Sequence, residues 1–376
     1  MTDPGFVEHI TAHQLQLDGT KIGWYRDRVE AWRRGERVAP ITMDVAWTRK
    51  CAAACNFCYA QLQASEDTVI TRKHAFEFLE DAAGIGVKGV SLISDGESTE
   101  VPFFAESVRY GADLGLQIGT SSNGLKLTRE VLEQILPGLT YLRFNFSGGD
   151  KQRWAQIMGL KQPLYDRVIE NIKAAMEIKR RDNLPVNINM QFVLMPQDAD
   201  QIIPFARLAN ELRPDYAIIK HCANSADHDL DVDYRQYDKL YPLLQQAETF
   251  SDDEFRVAVK WSRIQDEGKR DYQRCYGPPF ILQMSGNGLI APCGQKFNAK
   301  YGKFHIGNIT RDRFRDIFAS DRYQEVMSYL ASEEFDAQQD CGENCLQTNT
   351  NSWLNKYVNG AVGFPAGPAP AHLGFL

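Results

Sequence analysis

The sequence predicts an α/β chain, a partial (β/α)6 TIM-like barrel followed by a small C-terminal α+β domain. Two patterns carry the prediction. From Ile41 onward, six short runs rich in β-branched residues alternate with helix-length stretches, as parallel strands joined by crossover helices do. After about Asp231 that rhythm gives way to a helix and shorter strands around a Ser-Gly-Asn-Gly turn. With 376 residues the chain has room for a barrel and a smaller unit.

Taken in order, residues 22–36 read as a helix ended near Gly35, with Pro40 ahead of the first strand. They belong to an N-terminal extension, residues 1–40. The strand-like runs are ITMDVAW, GVSLIS, LQIGTSS, YLRFNFS, VNINMQFVLM and YAIIKH, and helices separate them. This gives a barrel over residues 41–235. A helix across YRQYDKLYPLLQQAETF then leads to a short strand pair, FRVAVKW and FILQMSGNGLIAPC, in a second unit over 236–350. The tail, 351–376, is rich in Gly, Ala and Pro and is expected to be irregular, although its aromatic SWLNKYV run fits either a cavity cover or a docked core element.

Hydrophobic residues make up 43% and charged ones 24%, which excludes a largely disordered or fibrous chain. A formal charge of −7 offers no overall basic field for polymeric nucleic acid and leaves only a local patch. The start carries no signal-peptide pattern, and no run of apolar residues is long enough to span a membrane. A cytoplasmic location without membrane partners is therefore expected. In that compartment the eight cysteines read as reduced thiols for metal binding or catalysis.

Those cysteines fall into groups. Cys51, Cys55 and Cys58 lie on the loop after the first strand, at the barrel end where active sites gather. Three thiolates on one loop can hold three irons of a [4Fe-4S] cube and leave the fourth open to an exchangeable ligand. A closed structural zinc site wants a fourth ligand, and this loop offers none. Zinc or plain buried thiols remain the alternatives.

This segment, KCAAACNFCYA, resembles the C-x3-C-x-aromatic-C signature of the radical S-adenosylmethionine (SAM) superfamily, with Phe57 as the aromatic residue. The resemblance extends over about Ile41 to Cys345. It implies that the open iron chelates SAM and that reductive cleavage yields methionine and a 5′-deoxyadenosyl radical, which removes a hydrogen atom from a substrate. It also implies an external electron donor such as flavodoxin or ferredoxin. Further positions match one at a time. SDGES resembles the family's GGEP-like turn, so Asp95, Gly96 and Glu97 are candidate contacts of the SAM amino group, with Asp95 a departure from glycine. SSNG resembles TTNG and brings in Ser122 and Asn123. RFNFSGGD resembles RVSLDG and places Asn145 where the family has a SAM-binding serine. Tyr59 is expected to meet adenine through its backbone, and Gln191 to face the same cavity. Each of these polar residues also has a plain reading as a loop cap.

Twelve residues separate Cys275 from Gly288 and four separate Gly288 from Cys293; Cys341-x3-Cys345 completes a second group. The C-x(9-15)-G-x4-C part resembles the opening of SPASM and Twitch domains, which bind auxiliary iron-sulfur clusters. Four cysteines imply one further [4Fe-4S] cube of the Twitch kind, for electron transfer or support. A four-thiolate zinc site is the alternative that spacing leaves open. Cys222 remains, preceded by Lys220 and His221 at the end of the sixth strand. Inert packing is one reading of Cys222 and hydrogen-atom donation to a substrate radical the other, while Lys220 and His221 are candidate substrate or SAM contacts.

The expected activity is hydrogen abstraction from a small polar biosynthetic substrate (an aminocyclitol, a sugar or a nucleotide-like molecule), ending in oxidation, epimerisation or rearrangement. Maturation of a ribosomal peptide and hypermodification of a nucleotide or DNA base are the other enzyme readings. A non-catalytic iron-sulfur or zinc scaffold is the reading from another class, and the SAM-pocket motifs on three further strands speak against it.

Overall fold

The computed structural model describes residues 20–266 and 268–376, so the first nineteen residues of the expected N-terminal extension lie outside it. All six expected strands form: β1 (Thr42–Val45), β2 (Gly89–Leu92), β3 (Gln117–Ser122), β4 (Leu139–Asn145), β5 (Asn187–Leu194) and β6 (Tyr216–His221). They lie side by side in chain order and all run parallel. Helices Arg72–Ile85, Phe104–Asp113, Arg129–Ile135, Pro163–Arg181 and Ile202–Leu212 cross over between them. The first of these starts at a reciprocal cap between Thr71 and His74 and stops where Gly86 takes φ +100. Outward-facing strand residues such as Val90, Leu92, Leu142 and Phe144 bury themselves against the helices. Alternate residues face the barrel interior.

The second strand pair forms differently from expectation. FRVAVKW supplies β7 (Val257–Val259), which adds to β6 as a seventh parallel strand. FILQM supplies β8 (Ile281–Met284), which pairs in parallel with β1 at the other end of the sheet. β9 (Leu289–Ala291) and β10 (Gly307–Asn308) follow antiparallel beyond it, giving one ten-stranded order β10-β9-β8-β1-β2-β3-β4-β5-β6-β7. The runs separate because Val257 and Val259 are apolar on the face that the helix Tyr241–Glu248 covers, so β7 continues the crossover rhythm. The SGNG turn does join β8 to β9, with Gly288 at φ +88.

The tail is helical from Thr348 to Val358, beyond the residue where irregular structure was expected to begin. Leu354 docks this helix into a small core with Ile22, Val29 and Phe280, so the aromatic run is a packed element. From 361 the chain is irregular, and its last part turns under the barrel. Thr42 Oγ1 donates to the Gly374 carbonyl at 2.9 Å, and the Gly374 nitrogen donates to Gln117 Oε1 at 2.9 Å. Phe375, 1% exposed, meets the Tyr141 ring edge-on at 5.0 Å. The barrel is thus plugged at the end opposite the cysteine loop.

Candidate active site

The loop carrying Cys51, Cys55 and Cys58 is pinned from three sides. Its Ala54 and Asn56 nitrogens donate to the Met158 and Ile157 carbonyls at 3.1 and 2.9 Å, and its Lys50 carbonyl accepts from the Glu97 nitrogen at 2.9 Å. Gly96 and Gly286 press on Thr48 and Arg49, and Gly159 presses on Ala54, so closely that a Cβ at any of the three would strike backbone. Backbone contacts of the chain itself therefore hold the loop in place. Its thiols face one another closely enough that Cys58 and Cys51 each oppose ionisation of Cys55, although burial is the larger cause of its raised pKa. Thiols held this way ionise readily only beside a cationic centre. Among the described residues no three His, Cys, Asp or Glu side chains converge on one metal position. A cube requires no such point, because each thiolate binds its own iron.

Around this loop stand the ends of β2 to β5. Glu97 is buried, and burial raises its pKa. Its carboxylate accepts from Thr99 Oγ1 at 2.7 Å and from the Thr99 and Asn123 nitrogens at 3.3 and 2.8 Å, all neutral donors. A buried carboxylate held by neutral groups suits a cationic ligand, and the ammonium group of SAM is one. Asn123 also aims its amide at Cys51 Sγ, 3.7 Å away. The Ser122 hydroxyl accepts from the Gly124 nitrogen at 3.0 Å and caps the turn. Asn145 Oδ1 accepts from Gln191 Nε2 at 2.9 Å and from Ser121 Oγ at 3.2 Å, so three neighbouring strands share one polar cluster.

Asp95 makes side-chain contacts that the sequence reading did not include. Its carboxylate accepts from Ser285 Oγ and the Gly286 nitrogen, both at 2.7 Å, and pairs with Arg49 Nε at 3.0 Å. The departure from the family's glycine thus fastens the β8–β9 turn to the cysteine loop. Arg49, which the sequence reading missed, also donates to the Gln63 carbonyl at 2.7 Å. Tyr59 extends its side chain toward Gly294, beside Cys293.

The second cysteine group converges from 71 residues of chain. Cys275 feels Cys345, Cys341 and Cys293, and burial with this crowding raises its pKa. Burial pushes Cys293 up to about 12, with Cys341 adding to it and Lys296 opposing. Asn351 aims one amide nitrogen at both Cys275 Sγ and Cys345 Sγ, each 3.8 Å away, while its oxygen accepts from the Gly277 nitrogen at 2.8 Å. The sequence reading missed Asn351 because it lies in the tail helix.

Inside the barrel, Asp44, Ser91, Tyr141, Arg143 and Asn189 form a polar interior above Phe375. Tyr141 donates to Ser91 at 2.9 Å, Arg143 Nε to Asn189 at 3.1 Å and Gln283 to Asp44 at 2.9 Å. Burial raises Asp44 to about 6. The polar alternation Asn187, Asn189, Gln191 along β5 is the sequence signal for this lining. Cys222 is fully buried, with its sulfur 3.6 Å from the Phe57 carbonyl, under the cysteine loop. Lys220 and His221 line a separate cavity next to the second cysteine group.

Comparison with known proteins agrees with this arrangement. Residues 45–209 match the radical SAM superfamily, and residues 275–346 match the SPASM iron-sulfur cluster-binding domain. An AdoMet-dependent heme synthase of Methanosarcina barkeri is 24% identical over 302 residues, 73% of this chain and 81% of that protein. A tungsten-containing aldehyde ferredoxin oxidoreductase cofactor-modifying protein of Pyrococcus furiosus is 21% identical over 73% of this chain and 80% of its own. Among solved structures, Streptococcus suis SuiB bound to S-adenosylmethionine superposes with a TM-score of 0.62 at 17% identity, covering 81% of this chain and 72% of that one. anSMEcpe with bound AdoMet gives 0.57 at 13% identity, over 83% of this chain and 88% of that one. These domains imply a SAM-binding [4Fe-4S] cluster and an auxiliary cluster. The chain carries a partial barrel of the radical SAM superfamily joined to a C-terminal SPASM-type iron-sulfur domain.

Proposed function

We propose that this protein binds SAM on a cluster held by Cys51, Cys55 and Cys58 and abstracts a hydrogen atom from a small polar biosynthetic molecule, leading to oxidation, epimerisation or rearrangement. When bound, the cluster supplies the electron that splits SAM into methionine and a 5′-deoxyadenosyl radical. The protein's own residues hold and shield the reactants. Glu97 receives the SAM ammonium, while Asn145 and Gln191 present amides to the remaining polar groups. Phe375 and Tyr141 close the barrel floor against water, which a primary radical would otherwise meet. Cys275, Cys293, Cys341 and Cys345 would hold a second cluster, which would supply a path for an electron from the substrate radical, and a flavodoxin or ferredoxin would deliver the initiating electron.

The observation that carries this reading is the buried Glu97 carboxylate, bonded only to neutral donors and linked through Asn123 to Cys51. Support for a small-molecule substrate comes from the polar barrel interior. Both curated relatives, moreover, are named for work on cofactors, one a heme synthase and one a cofactor-modifying protein. Anaerobically reconstituted protein given dithionite and SAM tests the reading, with 5′-deoxyadenosine as the expected product. Iron-loaded protein that never forms it would refute the proposal.

A further inference from the structure

β7 and β8 end the parallel part of the sheet on opposite sides and do not pair with each other. A cavity of about 140 Å³ lies between them and the segment after Cys345. Its barrel wall is Lys220 and His221 from the end of β6, with Lys260 and Arg263 beyond β7; Gln347 and Thr350 face them. Among the described residues no Asp or Glu side chain lines it. The cavity abuts the second cysteine group, because Arg263 Nη2 donates to the Cys345 carbonyl at 2.7 Å.

Two buried side chains there are unfinished. His221 is 4% exposed, and among the described residues neither ring nitrogen has a hydrogen-bond partner. Its ring is held edge-on by Tyr234 at 5.8 Å and by Tyr237 at 6.1 Å, so aromatic packing fixes its position. Gln347, also 4% exposed, donates to the Ile281 and Pro292 carbonyls at 2.9 Å, which leaves its Oε1 without a partner among the described residues. Buried polar groups left unpaired are costly and rare in folded proteins. Here they share a pocket with cations that repel one another: Arg263 acts on both Lys220 and His221. Lys220 makes no ion pair among the described residues and has Arg143 as a further like-charged neighbour. An anion relieves both faults at once, neutralising the cations and accepting the imidazole N–H.

We propose that this cavity is the subsite for an anionic oxygen group of the substrate, a carboxylate or a phosphate, held by Lys220 and Arg263 with neutral His221 as a donor. Gln347 Oε1 then accepts from a hydroxyl or ammonium group beside that anion. This rests on the radical SAM reading above and narrows its substrate to an acidic molecule that carries a neighbouring donor. The site puts that end of the substrate against the auxiliary-cluster domain.

Reconstituted full-length protein is titrated by calorimetry with glycolate and, separately, with inorganic phosphate, against chloride at equal ionic strength. Such small probes bind weakly, so the range extends to about 50 mM. Saturable binding of at least one of the two is expected, weakened about tenfold or more in Lys220→Gln and in His221→Phe, and the probe that binds tells carboxylate from phosphate. Iron content and circular dichroism report whether each variant is folded. Because Lys220→Gln keeps the length and polarity of the side chain, it stands in should His221→Phe fail to fold. Equal binding by wild type and Lys220→Gln, or no saturation by either probe, overturns the subsite. The radical SAM reading fails separately, by absence of 5′-deoxyadenosine from wild type.

Discussion

The Asn123 nitrogen donates to the Glu97 carboxylate at 2.8 Å, and this bond locks the turn after β3 to the turn after β2. Asn123 in turn faces Cys51, so Glu97, the proposed acceptor of the SAM ammonium, and the cysteine loop are fixed with respect to each other. Glu97→Gln keeps the shape but removes the charge. A charge-assisted hydrogen bond contributes about 2 kcal/mol, so SAM affinity should fall roughly 30-fold. Equilibrium binding of SAM to reconstituted protein checks this, and unchanged affinity would move the ammonium elsewhere.

Asp95→Gly restores the glycine of the family's turn, yet it should harm this chain. It removes the partner of Arg49 and the acceptor for Ser285 and Gly286. With Asp95 buried and Arg49 partly exposed, a loss of about 2–3 kcal/mol is expected, visible as a lower denaturant midpoint. Stability equal to wild type would mean that the tie is idle.

Cys275→Ala and Cys345→Ala should each reduce bound iron from roughly eight toward four per chain, since two cubes carry four irons each. 5′-Deoxyadenosine should still form in part, while substrate turnover is lost. Iron content left near eight would remove these residues from the ligand set.

Burial holds the His221 imidazole down at about 3, with Arg263 adding to it. The folded protein therefore stays unprotonated while the unfolded chain takes up a proton below about pH 6.5, so stability falls as pH drops through that value. The loss approaches about 1.4 kcal/mol per pH unit there. His221→Phe should lack this component between pH 6.5 and 5.5, as urea unfolding at the two pH values would show. Parallel losses in both proteins would contradict it.

Much of this was legible in the residues. The β-branched rhythm placed β1 to β6, and the Cys51, Cys55 and Cys58 spacing located the loop at the mouth of the barrel. Strand partners across long gaps were not legible, because a short run such as Val257–Val259 fits either edge of a sheet and tertiary packing decides. The task of Asp95 was hidden for a related reason: its partners Ser285 and Gly286 lie 190 and 191 residues away. Phe375 on the barrel floor was invisible in a segment whose Gly and Pro content predicts only irregular backbone. The amide period of β5, at Asn187, Asn189 and Gln191, is present in the sequence.

The central claim is that the thiols of Cys51, Cys55 and Cys58 anchor a cube that cleaves SAM. Quantifying 5′-deoxyadenosine after anaerobic reconstitution, with dithionite as reductant, tests it most directly. Wild type should form the nucleoside, and replacing any one of the three cysteines with Ala should abolish it. Formation that persists in those variants, or zinc in place of iron in the wild-type loop, would contradict the account.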